Sequence, residues 1–190
     1  MRLLFVDIET TGFDRRWDSI IEVAAILYNT DLKKQIITFH EYIKPYKKIP
    51  EEIEKITGIT NAQVESCRGE FEVLKDFIQF VKEYVPDAIV GHNYDAFDGE
   101  FFKAKASFHF LNWPLIKSID TLKVARQVKA PTTMLTASGA PSYKQQSIAA
   151  GYGLTYQAHS AIEDVKALIE IYNRMTGTQQ RSVKRNLLGF

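Results

Sequence analysis

The chain has 190 residues, 45% of them hydrophobic and 25% charged, the profile of one globular domain rather than a disordered segment. Its formal net charge of +1 excludes a bulk electrostatic grip on a polyanion, so any such partner must be held by local basic groups or bound cations. The single cysteine, Cys67, excludes an intrachain disulfide, and no apolar run approaches the roughly 20 residues that span a bilayer, so a soluble, cytoplasmic protein without a membrane partner is expected.

In chain order, "LLFVDIE" reads as a strand ending at the "TTG" turn. "SIIEVAAILYN" is a second strand, and "QIITFHEYIKP" a third that ends at Pro45; short connections predict an antiparallel meander. "PEEIEKITGIT" reads as a helix opened by Pro50 and closed by Gly58. Phe71, Leu74, Phe77, Ile78 and Val81 recur at helical spacing. "DAIVGHN" is a short buried strand, "DGEFFKAKASF" a helix, "IKSIDT" a strand and "TLKVARQV" a helix. Residues 129–142, rich in Pro, Ser, Thr and Gly, read as a loop mobile over a site. A helix stopped by Gly151 or Gly153 and a last long helix ending near Gly177 follow. The expected architecture is a three-layer α/β domain over 1–177, a mixed sheet flanked by helices, with a basic tail at 178–190.

Three acidic features fall at element ends. Asp7 and Glu9 lie two apart on a strand, so their carboxylates share a face at the strand's carboxyl end, where ligand sites of open α/β sheets lie. Two carboxylates this close repel unless a proton or a cation intervenes. In "HSAIEDV", Ser160 and Glu163 form a capping-box pattern, with Ser160 as N-cap. That places the His159 imidazole beside Asp164, which the helix dipole should keep ionised. The third feature, "GHNYDAFDGEFF", follows a strand and holds both Asp95 and Asp98. Acids on separate elements beside a histidine suit divalent cations held by hard oxygen donors, Mg²⁺ or Mn²⁺, with a neutral imidazole as general base. A pair of such ions would clamp the attacking and leaving oxygens of a phosphoryl displacement.

"VDIETTGFD", "GHNYDAFDGEFF" and "HSAIEDV" together resemble the three motifs of the DEDDh 3′–5′ exonuclease superfamily. "IIEVAAI", "KPYKKIPEEIEKITGIT" and "IDTLKVAR" resemble its intervening segments, so the likeness runs from about residue 1 to 175. It implies a ribonuclease H-like fold with a five-stranded mixed sheet in the order βββ-α-β-α-β-α. It also implies hydrolysis from a 3′ end to nucleoside 5′-monophosphates by two divalent cations. Carried over by position, Asp7, Glu9, Asp98 and Asp164 are the metal-binding acids and His159 the general base. Thr10, Thr11, Gly12 and Phe13 fall where the family holds the terminal nucleotide, through turn amides and an apolar wedge; His92 and Asn93 fall near the substrate strand. The implied partner is a single-stranded DNA 3′ end, with RNA 3′-end trimming or a catalytically inactive nucleic-acid-binding module as alternatives. A polymerase or other protein partner is not identified by these residues.

The second motif departs from the family's H-N-x-x-F-D, since Tyr94, Asp95 and Ala96 separate Asn93 from Phe97. Counted back from the helix, Phe97-Asp98-x-x-Phe101 fits the motif, which assigns Asp98 to metal and Asp95 to the helix N-cap. Thr57 stands where many relatives carry histidine, which is expected to affect only a loop. Lys123, Arg126, Lys129 and Lys144, and Arg181, Lys184 and Arg185 in the tail, read first as solvated charge.

Overall fold

The computed structural model describes the backbone of residues 1–188 and the side chains of residues 1–177. The first three strands form the expected meander: β1 (Arg2–Thr10), β2 (Ile20–Asn29) and β3 (Lys34–Tyr42) pair antiparallel. Then come α1 (Glu51–Thr57), α2 (Asn61–Val64), α3 (Glu70–Tyr84), β4 (Ala88–Gly91), α4 (Asp98–Phe108), β5 (Ser118–Asp120), α5 (Thr121–Val128), α6 (Gln145–Gly151) and α7 (Ala161–Leu188). The sheet order is β3-β2-β1-β4-β5, with β4 and β5 parallel to β1. This is the mixed five-stranded, ribonuclease H-like sheet that the sequence led us to expect.

The alternation of β1 builds the three layers. Leu4, Val6 and Ile8 point to one face, where they meet Leu74, Phe77 and Val81 of α3 and Phe101 and Phe102 of α4. Leu3 and Phe5 point to the other, against Val165, Leu168 and Ile169 of α7. Asp7 and Glu9 continue that second face by the same period of two, so the row facing α7 runs Leu3, Phe5, Asp7, Glu9, apolar at its start and acidic at its end. A third cluster, including Ala125, Ile148 and Met175, fastens α5 and α6 to α7.

Local details refine these expectations. Phe71 lies at the start of the α3 stripe but is 41% exposed, because the buried stripe begins at Val73 and Leu74. Residues 130–144 form the expected loop, tied by hydrogen bonds: Thr136 and Ala140 close a turn at 2.8 Å, the Ser142 amide donates to the Met134 carbonyl, and the Met134 amide donates to the Ser147 hydroxyl. Gly151 and Gly153 divide the work at the end of α6. Gly153 takes the left-handed turn (φ 71), whereas a Cβ on Gly151 would stand 2.3 Å from the Pro131 carbonyl oxygen that crosses it. The last helix does not stop at Gly177 but continues to Leu188. An interior glycine costs a helix only about 1 kcal/mol, and no proline follows it. The tail side chains, including Arg181, Lys184 and Arg185, and residues 189–190 lie outside the described residues.

Candidate active site

The site forms where β1 outruns its neighbour. β4 pairs with β1 only from Leu3 to Phe5, so the later half of β1 has no partner strand on that side. The Asp98 carboxyl lies beside this stretch, close enough to the backbone amides of Ile8 and of Asp98 itself for both to favour its ionised form. Asp98 is 3% exposed and sits in the first turn of α4.

The extra residue of the second motif is absorbed in the turn before it. Asn93 adopts a left-handed conformation (φ 62), and the Gly99 amide donates to the Tyr94 carbonyl, five residues back instead of four. Tyr94 is buried, wedged between Gly91 and Gly99, where a Cβ on either would come within 2.9 Å of its ring. Asp95 does not cap α4. The position flanking the helix is Phe97, and the Asp95 carboxylate turns outward to Lys123 Nζ and Ser118 Oγ, each at 2.6 Å. The amides of Asn93 and Asp95 are held by Asp120, which also caps α5 through the Leu122 amide.

Asp7, Glu9 and Asp164 each offer a carboxylate oxygen within 4.8 Å of the others. Asp98 lies outside that trio but is the largest charge influence on Asp7. Burial, then repulsion from Asp98, Asp164, Glu9 and Glu22, raises Asp7 well above the carboxylate range. Burial and the charges of Asp164, Glu22 and Asp98 push Glu9 up to about 8. Burial also pushes Asp98 up to about 7, against the amides that favour its ionised form. Asp164 is raised too: burial outweighs the Tyr156 hydroxyl, the His159 and Ser160 amides and the nearby His159 side chain, all of which favour its ionised form. An all-oxygen set whose members resist ionising side by side fits divalent cations, which would remove that repulsion.

The start of α7 is built differently from a capping box. The reach back over the helix terminus is made by Asp164, whose Oδ2 accepts the His159 amide at 2.8 Å, while Glu163 pairs with Lys166 at 2.7 Å. The Ala161 amide donates to Glu22 at 3.1 Å. His159 therefore meets Asp164 through its backbone. His159 is left-handed (φ 68) and exposed, and the Gln146 side-chain amide lies 3.2 Å from its Nε2.

Several residues that the sequence reading did not assign to the site support it. Asp164 Oδ1 accepts the Tyr156 hydroxyl at 2.9 Å and the Gln145 amide at 3.0 Å, which fixes its rotamer. Glu22, fully buried and directly opposite Glu9 on β2, binds His40 at 2.7 Å. A charge in the middle of "IIEVAAI" was the available signal for Glu22; nothing local marks Tyr156. Removing an outer hydrogen bond to a metal ligand commonly costs 10–100-fold. Tyr156→Phe is therefore expected to lower cleavage about 10-fold and raise the Mn²⁺ concentration for half-maximal rate, measured by Mn²⁺ titration of oligonucleotide cleavage.

The remaining candidates divide. Thr10 and Thr11 spend their hydroxyls on the turn, Thr10 donating to the Gly12 carbonyl at 2.6 Å and Thr11 to Asp18 at 3.3 Å. A Cβ on Gly12 would stand 2.5 Å from the Asp18 carboxylate, so a larger residue there would have to displace that side chain. Phe13 projects into solvent, 86% exposed, with its ring edge-on to Phe97 at 6.2 Å. His92 is tied inward on both nitrogens, to Thr121 Oγ1 at 3.0 Å and the Tyr143 carbonyl at 2.9 Å, and burial lowers its pKa. Asn93 contributes its conformation and a hydrogen bond from its backbone amide to the Asp120 carboxylate.

Residues 4–172 match the RNase_T exonuclease family. The chain is 32% identical over 170 residues to DNA polymerase III subunit epsilon of Treponema pallidum, covering 89% of this chain and 74% of the relative. It is likewise 32% identical over 173 residues to the epsilon subunit of Aquifex aeolicus, covering 88% and 76%. The fold is similar to that of E. coli exonuclease I in complex with a dT13 oligonucleotide, with a TM-score of 0.84 at 24% identity; the match covers 96% of this chain and only 42% of that one.

Proposed function

This chain belongs to the RNase_T exonuclease family, within the DEDDh 3′–5′ exonucleases, and from that premise we propose that it is a metal-dependent nuclease that shortens single-stranded DNA from the 3′ end, releasing nucleoside 5′-monophosphates. The observation that carries this reading is the buried carboxylate cluster of Asp7, Glu9 and Asp164, with Asp98 against Asp7. We assign the activity to residues 1–177. Among the described residues, no helix is long and apolar enough to cross a membrane.

Asp7, Glu9, Asp98 and Asp164 would hold two Mg²⁺ or Mn²⁺ ions, whose charge supplies stabilisation of the attacking and leaving oxygens. His159 takes the proton from the attacking water as the new bond to phosphorus forms and the bond to the 3′ oxygen of the preceding nucleotide breaks. Its imidazole is exposed, which leaves it open to a bound strand end. The Thr10–Gly12 turn presents backbone to the terminal nucleotide, and Phe13 stands as an apolar wedge. His92 and Asn93 act behind the site, by shaping the loop that delivers Asp98.

The test is cleavage of 3′-blocked and 5′-blocked oligonucleotides, in DNA and RNA, with Mg²⁺ or Mn²⁺. Loss of cleavage with a 3′ block alone is expected, with DNA cut faster than RNA. His159→Ala should lower the DNA rate by about 10²-fold, the low end of what a general base contributes. Cleavage that survives the 3′ block would overturn the polarity, and faster RNA cleavage would move the substrate to RNA ends. No cleavage by wild type would leave an inactive binding module, and equal cleavage by Asp7→Asn would overturn the carboxylate mechanism.

A further inference from the structure

Between Thr11 and Ser19 the chain forms a short tongue whose acids hydrogen-bond its own backbone and whose cations and aromatics are exposed. The Thr11 amide donates to the Ser19 carbonyl at 2.9 Å and closes its base. The Asp18 carboxylate accepts the Asp14 amide at 2.8 Å, the Asp14 carboxylate accepts the Arg16 amide at 2.9 Å, and the Asp14 carbonyl accepts the amides of Trp17 and Asp18. Both tongue acids are thus engaged with its own backbone. What projects is Phe13, Arg15, Arg16 and Trp17, the last 73% exposed. Arg15 lies 3.9 Å from Glu100, too long for a hydrogen bond.

The tongue stands at the mouth of the carboxylate site. It begins directly after Thr10, the end of β1, and Phe13 leans on Phe97, the residue before Asp98. Phe13, Asp14, Arg15 and Arg16 line an open cleft of 450 Å³. A site made of carboxylates repels phosphates, and a chain of net charge +1 offers no general attraction to offset that. Two guanidiniums at the entrance supply it locally. Single strands alternate bases with phosphates, and proteins grip them with stacking aromatics and basic groups in the same alternation.

We propose that Arg15, Arg16 and Trp17 form an upstream subsite that holds a single-stranded nucleic acid 5′ of its terminal nucleotide, the guanidiniums on backbone phosphates and the indole stacked on a base. The inference rests on the single-strand substrate proposed above and extends it beyond the reacting end. The tongue's internal hydrogen bonds fix it before the strand arrives, so little order is lost on binding.

The test compares a dinucleotide with a decamer of deoxythymidylate, in equilibrium binding with Ca²⁺ by fluorescence anisotropy and in cleavage with Mn²⁺. Wild type should bind and cleave the decamer better than the dinucleotide. Trp17→Ala should weaken decamer binding roughly 10-fold, within the range for one stacked base, and Trp17→Tyr should restore most of it. Arg15→Gln with Arg16→Gln should flatten the salt dependence, by about 0.7 in the log–log slope for each phosphate no longer neutralised. All of these residues are exposed, so unchanged thermal unfolding is expected. Variants that bind the decamer as wild type does, with the same salt slope, would overturn the subsite and leave the tongue free for a protein partner. Tongue-dependent binding without any cleavage would keep the subsite and overturn the nuclease reading. A wild type that binds no single strand would overturn both.

Discussion

Asp98→Asn is expected to reduce metal-dependent cleavage of a 3′-labelled oligonucleotide by roughly 10³-fold, beyond the 10–100-fold typical of groups that only support a ligand. Asp95→Asn, three residues away, is expected to keep at least half of the wild-type rate. The two aspartates differ in where the fold puts them. Asp98 is buried, and it is the largest charge influence on Asp7. Asparagine keeps the shape there but removes the charge that would hold a cation. Asp95 is partly exposed and its ion pair is to Lys123, itself 68% exposed. Exposed pairs of this kind contribute about 0–1 kcal/mol. Single-turnover rates at saturating Mn²⁺ separate the two, and a larger loss in Asp95→Asn would transfer the ligand role to Asp95.

Glu9→Gln is expected to stabilise the metal-free protein while abolishing its metal response. The folded-state pKa of Glu9 is raised from 4.5 to about 8. A carboxylate raised in this way contributes stability that is fully present below about pH 4.5 and is lost as pH rises through about 8. In EDTA, wild-type Tm should therefore fall between pH 5 and 9, and the variant, which has no proton to lose there, should fall less. Near pH 4.5 the two should unfold alike. At pH 8.5 the variant should lead by about 5 °C or more, given that 1 kcal/mol moves Tm by about 2–4 °C at this chain length. Mn²⁺ should raise wild-type Tm far more at pH 8.5 than at pH 5, because it replaces the protons that the clustered acids otherwise retain. A pH-independent Tm difference in EDTA would show that repulsion at the cluster is not what strains the fold. Such a site trades stability for function.

The cluster also explains why the support around it is extensive. Glu22 faces Glu9 across β1 and β2, a like-charge pairing that weakens a sheet. It is tolerated because the Glu22 carboxylate is satisfied elsewhere, by His40 and by the first amide of α7. The same bond sets the helix that carries Asp164. Tyr156 and Gln145 complete the arrangement from the segments before α7.

Much of this was legible along the chain because it depends on local periodicity. The alternation in "LLFVDIE" already put Asp7 and Glu9 on one face, and Gly58 closed α1 in the left-handed turn that its position demanded. The spacing of Asp98 from Phe101 pointed to the first turn of α4, where it lies. The errors arose where a side chain had distant suitors. Asp95 looked like a helix cap by position, but Lys123 and Ser118, from α5 and β5, compete for its carboxylate. Ser160 and Glu163 matched a capping box, but Glu22, some 139 residues earlier, takes the Ala161 amide, and Asp164 reaches back to the amide of His159. Gly177 looked like a stop because a glycine at a helix end and one inside a helix read alike from neighbours only.

The sequence by itself determined which acids share a strand face, which residues open and close most elements, and that the chain carries the acid and histidine pattern of a 3′–5′ nuclease. The first two follow from bond geometry over a few residues, and the third from the resemblance of three motifs to a known family. Only the tertiary structure decided that β4 stops short beside β1 where Asp98 lies, that an i to i+5 bond at Gly99 absorbs the extra residue, and that Glu22, Tyr156 and Gln145 hold the site together. Each of these depends on which groups meet after strands and helices pack. A carboxylate buried in that packing takes whatever donor the fold brings within about 3 Å, however far away in the chain that donor began.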